Sequence, residues 1–227
     1  MDKLVTASAA VSSIPSGSML VLPDPGSGGY PASLVAALGS LPAAGFTVIC
    51  PGLTHWDEEL RGWLAGGQVE RLIVDAELPD GRPKGVETEF LPPVLLRQRL
   101  QASAAGTPSF LGPVGGRARP AGEGGRRRAV REGARALFFG GETFAPVPAL
   151  TPDVALLRAA RADARGNLVF ADAVREVALS AAKAARRTLA EADELLPVLH
   201  PRHVQLPARR VESVAEAEAE AALKMLG

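Results

Sequence analysis

Asp153 to Asn167 reads DVALLRAARADARGN. Its first half, Val154–Ala159, is an apolar run broken only by Arg158, and it predicts a core strand. Ala162-Asp163 follow, then a Gly166-Asn167 turn. Leu168–Phe170 predicts a further short strand, and Ala171–Ala185 a helix rich in Ala.

The rest of the chain repeats this alternation. Met19–Leu22, Phe46–Cys50, Arg71–Asp75 and Glu87–Leu91 are short apolar or β-branched bursts suited to strands. Ser8–Ile14, Pro31–Leu38 and Val94–Ser103 have helical patterns, the second with Pro at its start. Strands alternating with helices predict an α/β fold with a mostly parallel sheet flanked by helices. Ala136–Leu150 predicts a small β-hairpin lobe around Gly140-Gly141, with Pro146 and Pro148 marking its second arm as an edge strand. Residues 1–227 read as one domain. A flexible Gly/Arg loop spans 112–128, and a C-terminal helix spans about 212–226, with Glu early and Lys late.

Composition limits the function classes. Lys+Arg and Asp+Glu are both 25, so no global charge favours nucleic acid or a membrane surface. Aromatics are 4%, too few for base-stacking platforms. The single cysteine, Cys50, rules out a disulfide framework and reads as a small buried hydrophobe. No secretory leader and no membrane-length apolar run is evident, so a cytoplasmic location is expected. His55, His200 and His203 are the only histidines, and Pro201 between the last two argues against a metal-binding helix, so no metal site is expected.

The loop Pro23-Asp24-Pro25-Gly26-Ser27-Gly28-Gly29-Tyr30-Pro31 follows the first strand. Ligands of parallel sheets bind beyond the carboxyl ends of strands. Gly26, Gly28 and Gly29 let backbone approach a ligand, and N–H groups of the next helix are suited to an anion or a thioester oxygen. A tight strand–helix turn without a ligand explains the same residues. No G-x-S-x-G elbow is present, and Ser27 has no His and Asp arranged with it. Glu58, Glu59, Glu77 and Glu142 read as ordinary surface carboxylates. Arg117, Arg119, Arg126, Arg127 and Arg128 form a basic loop, suited to solvent, to phosphates or to an acidic partner.

Taken in order, several motifs resemble one family. They are Asp2-Lys3, Ile14-Pro15-x-Gly17, Gly26-x-x-Gly29-x-Pro31, Thr47-Val48-Ile49, Gly67-Gln68, Gly106-x-Pro108-x-Phe110, Phe139-x-Gly141-x-x-Phe144, the 153–167 stretch, Ala181-Ala182-Lys183 and His200. The set resembles the α (A-type) subunit of class I coenzyme A transferases of the 3-oxoacid/acetoacetate type. The resemblance implies a NagB/RpiA-type fold and a partner β subunit, in a heterodimer or α2β2 assembly. That β subunit would carry the nucleophilic Glu, so no catalytic residue is expected here. The Glu would attack an acyl-CoA thioester, giving an acid anhydride and then an enzyme–CoA thioester. Coenzyme A enters as the substrate thioester, and no permanently bound cofactor is implied. Asp24, Gly26, Gly28 and Gly29 would line the acyl-CoA site.

The departures from the family lie at the pocket. Pro23-Asp24-Pro25 stand where the family has Gly-Gly-Phe, and prolines remove N–H donors. Pro51-Gly52 replace Asn residues, and Pro93 replaces a Gln that faces the substrate. A carboxylate at Asp24 would disfavour dicarboxylic acyl groups by like-charge repulsion. Alternatives therefore stay open: a non-catalytic or diverged paralogue that binds acyl-CoA or a partner, or a CoA-thioester hydrolase or lyase.

Overall fold

The computed structural model describes residues 2–53, 57–78, 81–113 and 136–217. Helices α1 (Ala7–Val11), α2 (Ala32–Gly39) and α3 (Glu58–Ala65) alternate with strands β1 (Met19–Val21), β2 (Phe46–Cys50) and β3 (Val69–Val74). Next come β4 (Glu87–Phe90), α4 (Pro93–Ala104), β5 (Ser109–Pro113), β6 (Leu137–Phe139), β7 (Glu142–Pro148), β8 (Val154–Asp163), β9 (Leu168–Val169), α5 (Arg175–Ala184), β10 (Arg187–Leu196) and β11 (Ser213–Glu216). The main sheet runs β11-β10-β8-β1-β2-β3-β4, and every neighbouring pair on that path is parallel. Strand β9, off that path, pairs antiparallel with β8.

Each face of this sheet is covered. Leu20, Val48, Leu72, Leu156 and Leu189 pack under α1, α2 and α3. Val21, Ile49, Ile73, Leu157 and Ala190 pack under α4 and α5. Strands covered on both sides read as continuous apolar runs, which is why β1, β2 and β3 were legible. Gly39 and Trp63 set the α2–α3 approach: a Cβ on Gly39 would lie 2.6 Å from Trp63 Nε1.

The 153–167 stretch is the clasp of the sheet. Asp153 N–H donates to Met19 O at 2.7 Å, and Met19 N–H donates to Asp153 Oδ2 at 2.9 Å, joining β8 to β1. At the other end of β8, Asp163 is fully buried. Its carboxylate accepts from the N–H groups of Arg165, Asn167 and Leu199 and from Asn167 Nδ2, at 2.8–3.1 Å. Asn167 Oδ1 accepts from Ala208 N–H at 2.9 Å. Gly166 has φ +91°, a turn that only glycine adopts freely, and Lys3 crosses it to donate to Ala208 O and Val211 O.

A second buried carboxylate docks α2. Glu191, on β10, has no exposed surface and accepts from Leu34 N–H at 3.1 Å. Arg158 Nε stands 4.0 Å from its other oxygen and pairs more closely with Asp193, at 2.7 Å. The backbone N–H of the same Arg158 donates to Gly29 O at 3.1 Å.

Several expectations need correction. The segment expected to open a C-terminal helix at 212 instead forms β11. Val214 and Ala215 are buried there, and the strand bonds to β10 on one side and to Lys3–Val5 on the other. Ladder bonds and burial on both sides outweigh local helix preference; residues 218–226 of the expected helix lie outside the described ones. For the same reason 187–196 is a strand although its Ala, Glu and Leu content favours a helix. The second hairpin arm, β7, is the middle strand of a three-stranded sheet, β5-β7-β6. Its prolines fit because β6 pairs only with 142–144, leaving Pro146 and Pro148 bonded on one side alone. Gly112 and Pro113, expected in a flexible loop, belong to β5; 114–128 lie outside the described residues. Helix α1 is shorter than expected, β8 extends four residues past Ala159, and α3 was not anticipated.

The two buried carboxylates should respond to pH in opposite ways. Burial alone would raise the Asp163 pKa, but its hydrogen bonds hold it below the usual carboxylate range. Its stabilisation is therefore present above the unfolded pKa, about 3.9, and is lost as pH falls through the folded one. Asp163→Ala strands its donors and should cost about 3 kcal/mol at neutral pH. Urea denaturation at pH 7 measures that loss.

Glu191 is pushed up to about 7, chiefly by burial. Between the unfolded value, about 4.3, and about 7 the folded state keeps a proton that the unfolded chain releases. Stability thus falls as pH rises through that window. Glu191→Gln should match the parent near pH 5 and exceed its urea midpoint near pH 8. An equal gap at both pH values would contradict this assignment.

Candidate functional site

The chain leaves β1 towards β2 on one side and only later returns to place β8 on its other side. This reversal opens a crevice beyond the carboxyl ends of β1 and β8, the usual ligand position in open parallel sheets. The loop Pro23–Tyr30 fills it. Leu22 N–H donates to Ile49 O at 3.0 Å, and Pro25–Ser27 then forms a single 3₁₀ turn. Ser27 N–H and Oγ both donate to Asp24 O, at 3.0 and 2.7 Å, so this hydroxyl is engaged in the turn. Gly28 has φ +72°, which requires glycine. Gly29 is buried, and a Cβ there would lie 3.0 Å from Val174 Cβ.

The four expected site residues therefore share one loop but differ in access. Gly26 and Gly28 lie on its rim, whereas Asp24 is 8% exposed and Gly29 is sealed under Val174. The α2 N-terminus is less available than expected. Pro31 occupies its N-cap without a side-chain hydrogen bond, and Leu34 N–H is already taken by Glu191. The acceptor at this helix start is internal to the chain.

Around the loop, the carboxyl ends of β2 and β3 add acidic and apolar groups. Cys50 ends β2, fully buried. Burial pushes its thiol pKa well up, and Asp24, Asp75 and Asp57 push it further. The thiol stays protonated and is a poor nucleophile. Asp57 caps α3 by accepting Leu60 N–H at 2.9 Å; burial raises its pKa, and that bond opposes the rise. Tyr30 is fully buried and is held well above its usual range by burial first and Asp57 second. Gly52 N–H donates to Asp75 Oδ1 at 2.6 Å, tying the Pro51-Gly52 turn to the end of β3. Pro92 caps α4 and Pro93 begins it, at the carboxyl end of β4. Prolines 23, 25, 51, 92 and 93 thus border this edge without an N–H to donate.

Other expected features are placed less centrally. Glu58, Glu77 and Glu142 are exposed and Glu59 is half-buried. His200 accepts from Arg202 N–H and meets His203 edge-on, with ring centroids 5.9 Å apart. His55 and the five arginines of 117–128 lie outside the described residues. Among the described residues, no cluster of three or more His, Cys, Asp or Glu is arranged to hold a metal, and no helix is long and apolar enough to cross a membrane.

Sequence reading missed the Glu191–Leu34 contact and the Asp57–Tyr30 pairing. Asp57-Glu58-Glu59 carries a helix-start signal that could have revealed α3 and its cap. Glu191 offered only a lone charge within the alternating segment 187–192.

Comparison with known proteins gives the family and agrees with the fold. The profile of the family described as "Coenzyme A transferase" matches residues 4–217. The A-type subunit of the succinyl-CoA:3-ketoacid coenzyme A transferase of Xanthomonas campestris pv. campestris (strain B100) is 32% identical over 187 residues, covering 79% of this chain and 73% of that protein. The crystal structure of a single-residue variant of the decarboxylase AibA/AibB superposes with a TM-score of 0.75 at 28% identity, covering 97% of this chain and 86% of that one. An acyl-CoA transferase of Escherichia coli O157:H7 (YdiF), solved as a thioester complex with CoA, gives a TM-score of 0.76 at 21% identity over 95% of this chain. This chain spans only 47% of that E. coli chain, so it matches about half of a longer polypeptide. With the profile running from the amino-terminal segment beside β11 through β11 itself, the chain belongs to the coenzyme A transferase family.

Proposed function

We propose that this chain is the α subunit of a CoA transferase that moves CoA between an acyl-CoA and a carboxylic, 3-oxo, acid. It acts in the cytoplasm with a β subunit that supplies the Glu nucleophile. The observation that carries this reading is a glycine loop at the β1/β8 crevice where, among the described residues, Ser27, Cys50 and Glu191 are not free to attack a thioester. Ser27 is engaged by Asp24 O, Cys50 is buried as a thiol, and Glu191 is sealed under α2. An attacking carboxylate must then come from outside the crevice. The Xanthomonas relative is itself named as one subunit of its transferase, which supports the same division of labour. Asp24, Gly26, Gly28 and Gly29 form one wall of the acyl-CoA site, and CoA takes part as substrate.

A second reading is favoured by one observation: Pro23, Pro25, Pro51 and Pro93 border the crevice without donors that would stabilise an oxyanion. On it, the same scaffold runs a different CoA-ester reaction, or has lost catalysis and binds acyl-CoA alone. The decarboxylase neighbour illustrates that this fold serves more than one chemistry.

Co-expression with a class I β subunit from the same genome separates these readings. The transferase reading expects a stable complex in which CoA appears on an added acceptor acid and does so only when that acid is present. An intact complex that releases free CoA or CO2 without an acceptor supports the second reading and sinks the first. In an active complex, Asp24→Asn should relax discrimination against dicarboxylic acyl groups by roughly tenfold in kcat/KM, since it removes one like charge. Unchanged acyl selectivity would remove Asp24 from the pocket wall.

A further inference from the structure

On the α5 side of β8 lies a second cleft, of about 560 Å3. Arg161 enters it from β8, on the same face of the strand as Leu157 and Ala159. Asp172 and Arg175 form its wall at the start of α5, and Arg202 and His203 close it from the turn Pro201–His203. The walls are fixed to each other by hydrogen bonds. Phe170 N–H donates to Gln205 Oε1 at 2.9 Å, and Leu168 N–H donates to Leu206 O at 2.9 Å.

The charges of this cleft do not cancel. Arg175 is paired with Asp172 at 2.9 Å. Arg161 and Arg202 have no ion-pair partner among the described residues. Glu194 stands opposite Arg161 in the β8–β10 register, but it makes no ion pair with it. Two guanidinium groups thus line one cleft, with the imidazole of His203 also on its wall. Unpaired arginines brought together from distant parts of the chain repel one another unless an anion joins them.

We propose that this cleft binds a phosphate-bearing anion, with Arg161 and Arg202 as its ligands. A guanidinium fork matches phosphate oxygens in bidentate geometry, and two positive charges match a phosphate dianion better than a single carboxylate. The space is of the size that admits a nucleotide-sized group. The start of α5 links this cleft to the glycine loop, because Val174, beside Arg175, covers Gly29. The phosphate belongs either to the nucleotide end of a CoA thioester or to free phosphate or diphosphate. The site stands whether or not the chain takes part in CoA transfer.

Calorimetric titration of the full chain at low salt tests it, with inorganic phosphate, inorganic pyrophosphate and coenzyme A as probes. The expected result is saturable binding that Arg161→Gln and Arg202→Gln each weaken by about tenfold or more. Lys183→Gln, which removes an exposed cation outside the cleft, should leave binding unchanged. Tighter binding of coenzyme A than of pyrophosphate assigns the site to the nucleotide end of CoA, and equal binding assigns it to the free anion. Absence of binding to all three probes overturns the proposal. So does binding that both arginine variants retain while keeping the parent's melting transition. Variants that lose β-subunit capture but retain anion binding make the cleft a protein contact and overturn it equally.

Discussion

The carboxylate of Asp163 is where the structure is tied together. It lies at the end of the longest run of β8 and gathers donors from the β8–β9 turn and from Leu199. Through Asn167 the same knot reaches Ala208, and through Lys3 it reaches the amino-terminal segment beside β11. Together with the Leu168–Leu206 and Phe170–Gln205 bonds, it holds residues 199–211 to the sheet. The basic cleft depends on this, since one of its walls is the turn Pro201–His203. A buried carboxylate is tolerated because almost every lone pair has a donor.

Glu191 shows the other outcome of burying a carboxylate. It accepts hydrogen bonds from the start of α2, at Leu34 and Ser33, and Arg158 stands 4.0 Å away, better engaged by Asp193. Desolvation wins, so the proton is retained up to near neutrality. Neither carboxylate has exposed surface, but Glu191 lies deeper in the chain and Asp163 has more donors, and the two differences act together. The position of Glu191 matters for the crevice as well. It fixes the start of α2, while the backbone of Arg158 holds Gly29 from the other side. The glycine loop is thus gripped at its exit by β8 and β10 together.

Much of this was legible from sequence where burial on both faces writes an unbroken apolar run. Met19–Val21, Phe46–Cys50 and Val154–Ala159 are of that kind, and the glycine loop is legible because no other residue reaches φ +72° cheaply at Gly28. Ser213–Glu216 and 187–196 were not legible from local preference. Their Ala, Glu and Leu content favours a helix, and what decides them is pairing with strands remote in sequence. Within the site, the loop's residues were readable but their access was not. Nothing local says that Gly29 lies under Val174, or that a glutamate some 157 positions away takes the Leu34 N–H. The basic cleft was invisible for the same reason, since Arg161 and Arg202 meet only after β8 and the 201–203 turn are packed together.

The prolines acquire a clearer physical meaning once their neighbours are known. A pocket that stabilises an oxyanion needs N–H groups aimed at one point. Here Pro23, Pro25, Pro51 and Pro93 have none to give, and the first turn of α2 has surrendered the Leu34 donor to Glu191. What remains at this edge is shape: Gly26 and Gly28 on the rim of a stiff loop, the covered Tyr30 and Cys50, and the carboxylates of Asp24, Asp57 and Asp75 near the thiol. On the proposed reading, such a surface positions a ligand and excludes water, with fewer N–H donors for developing negative charge on a thioester oxygen. The attacking carboxylate then enters from the partner's side. On that reading this chain is the wall against which it works.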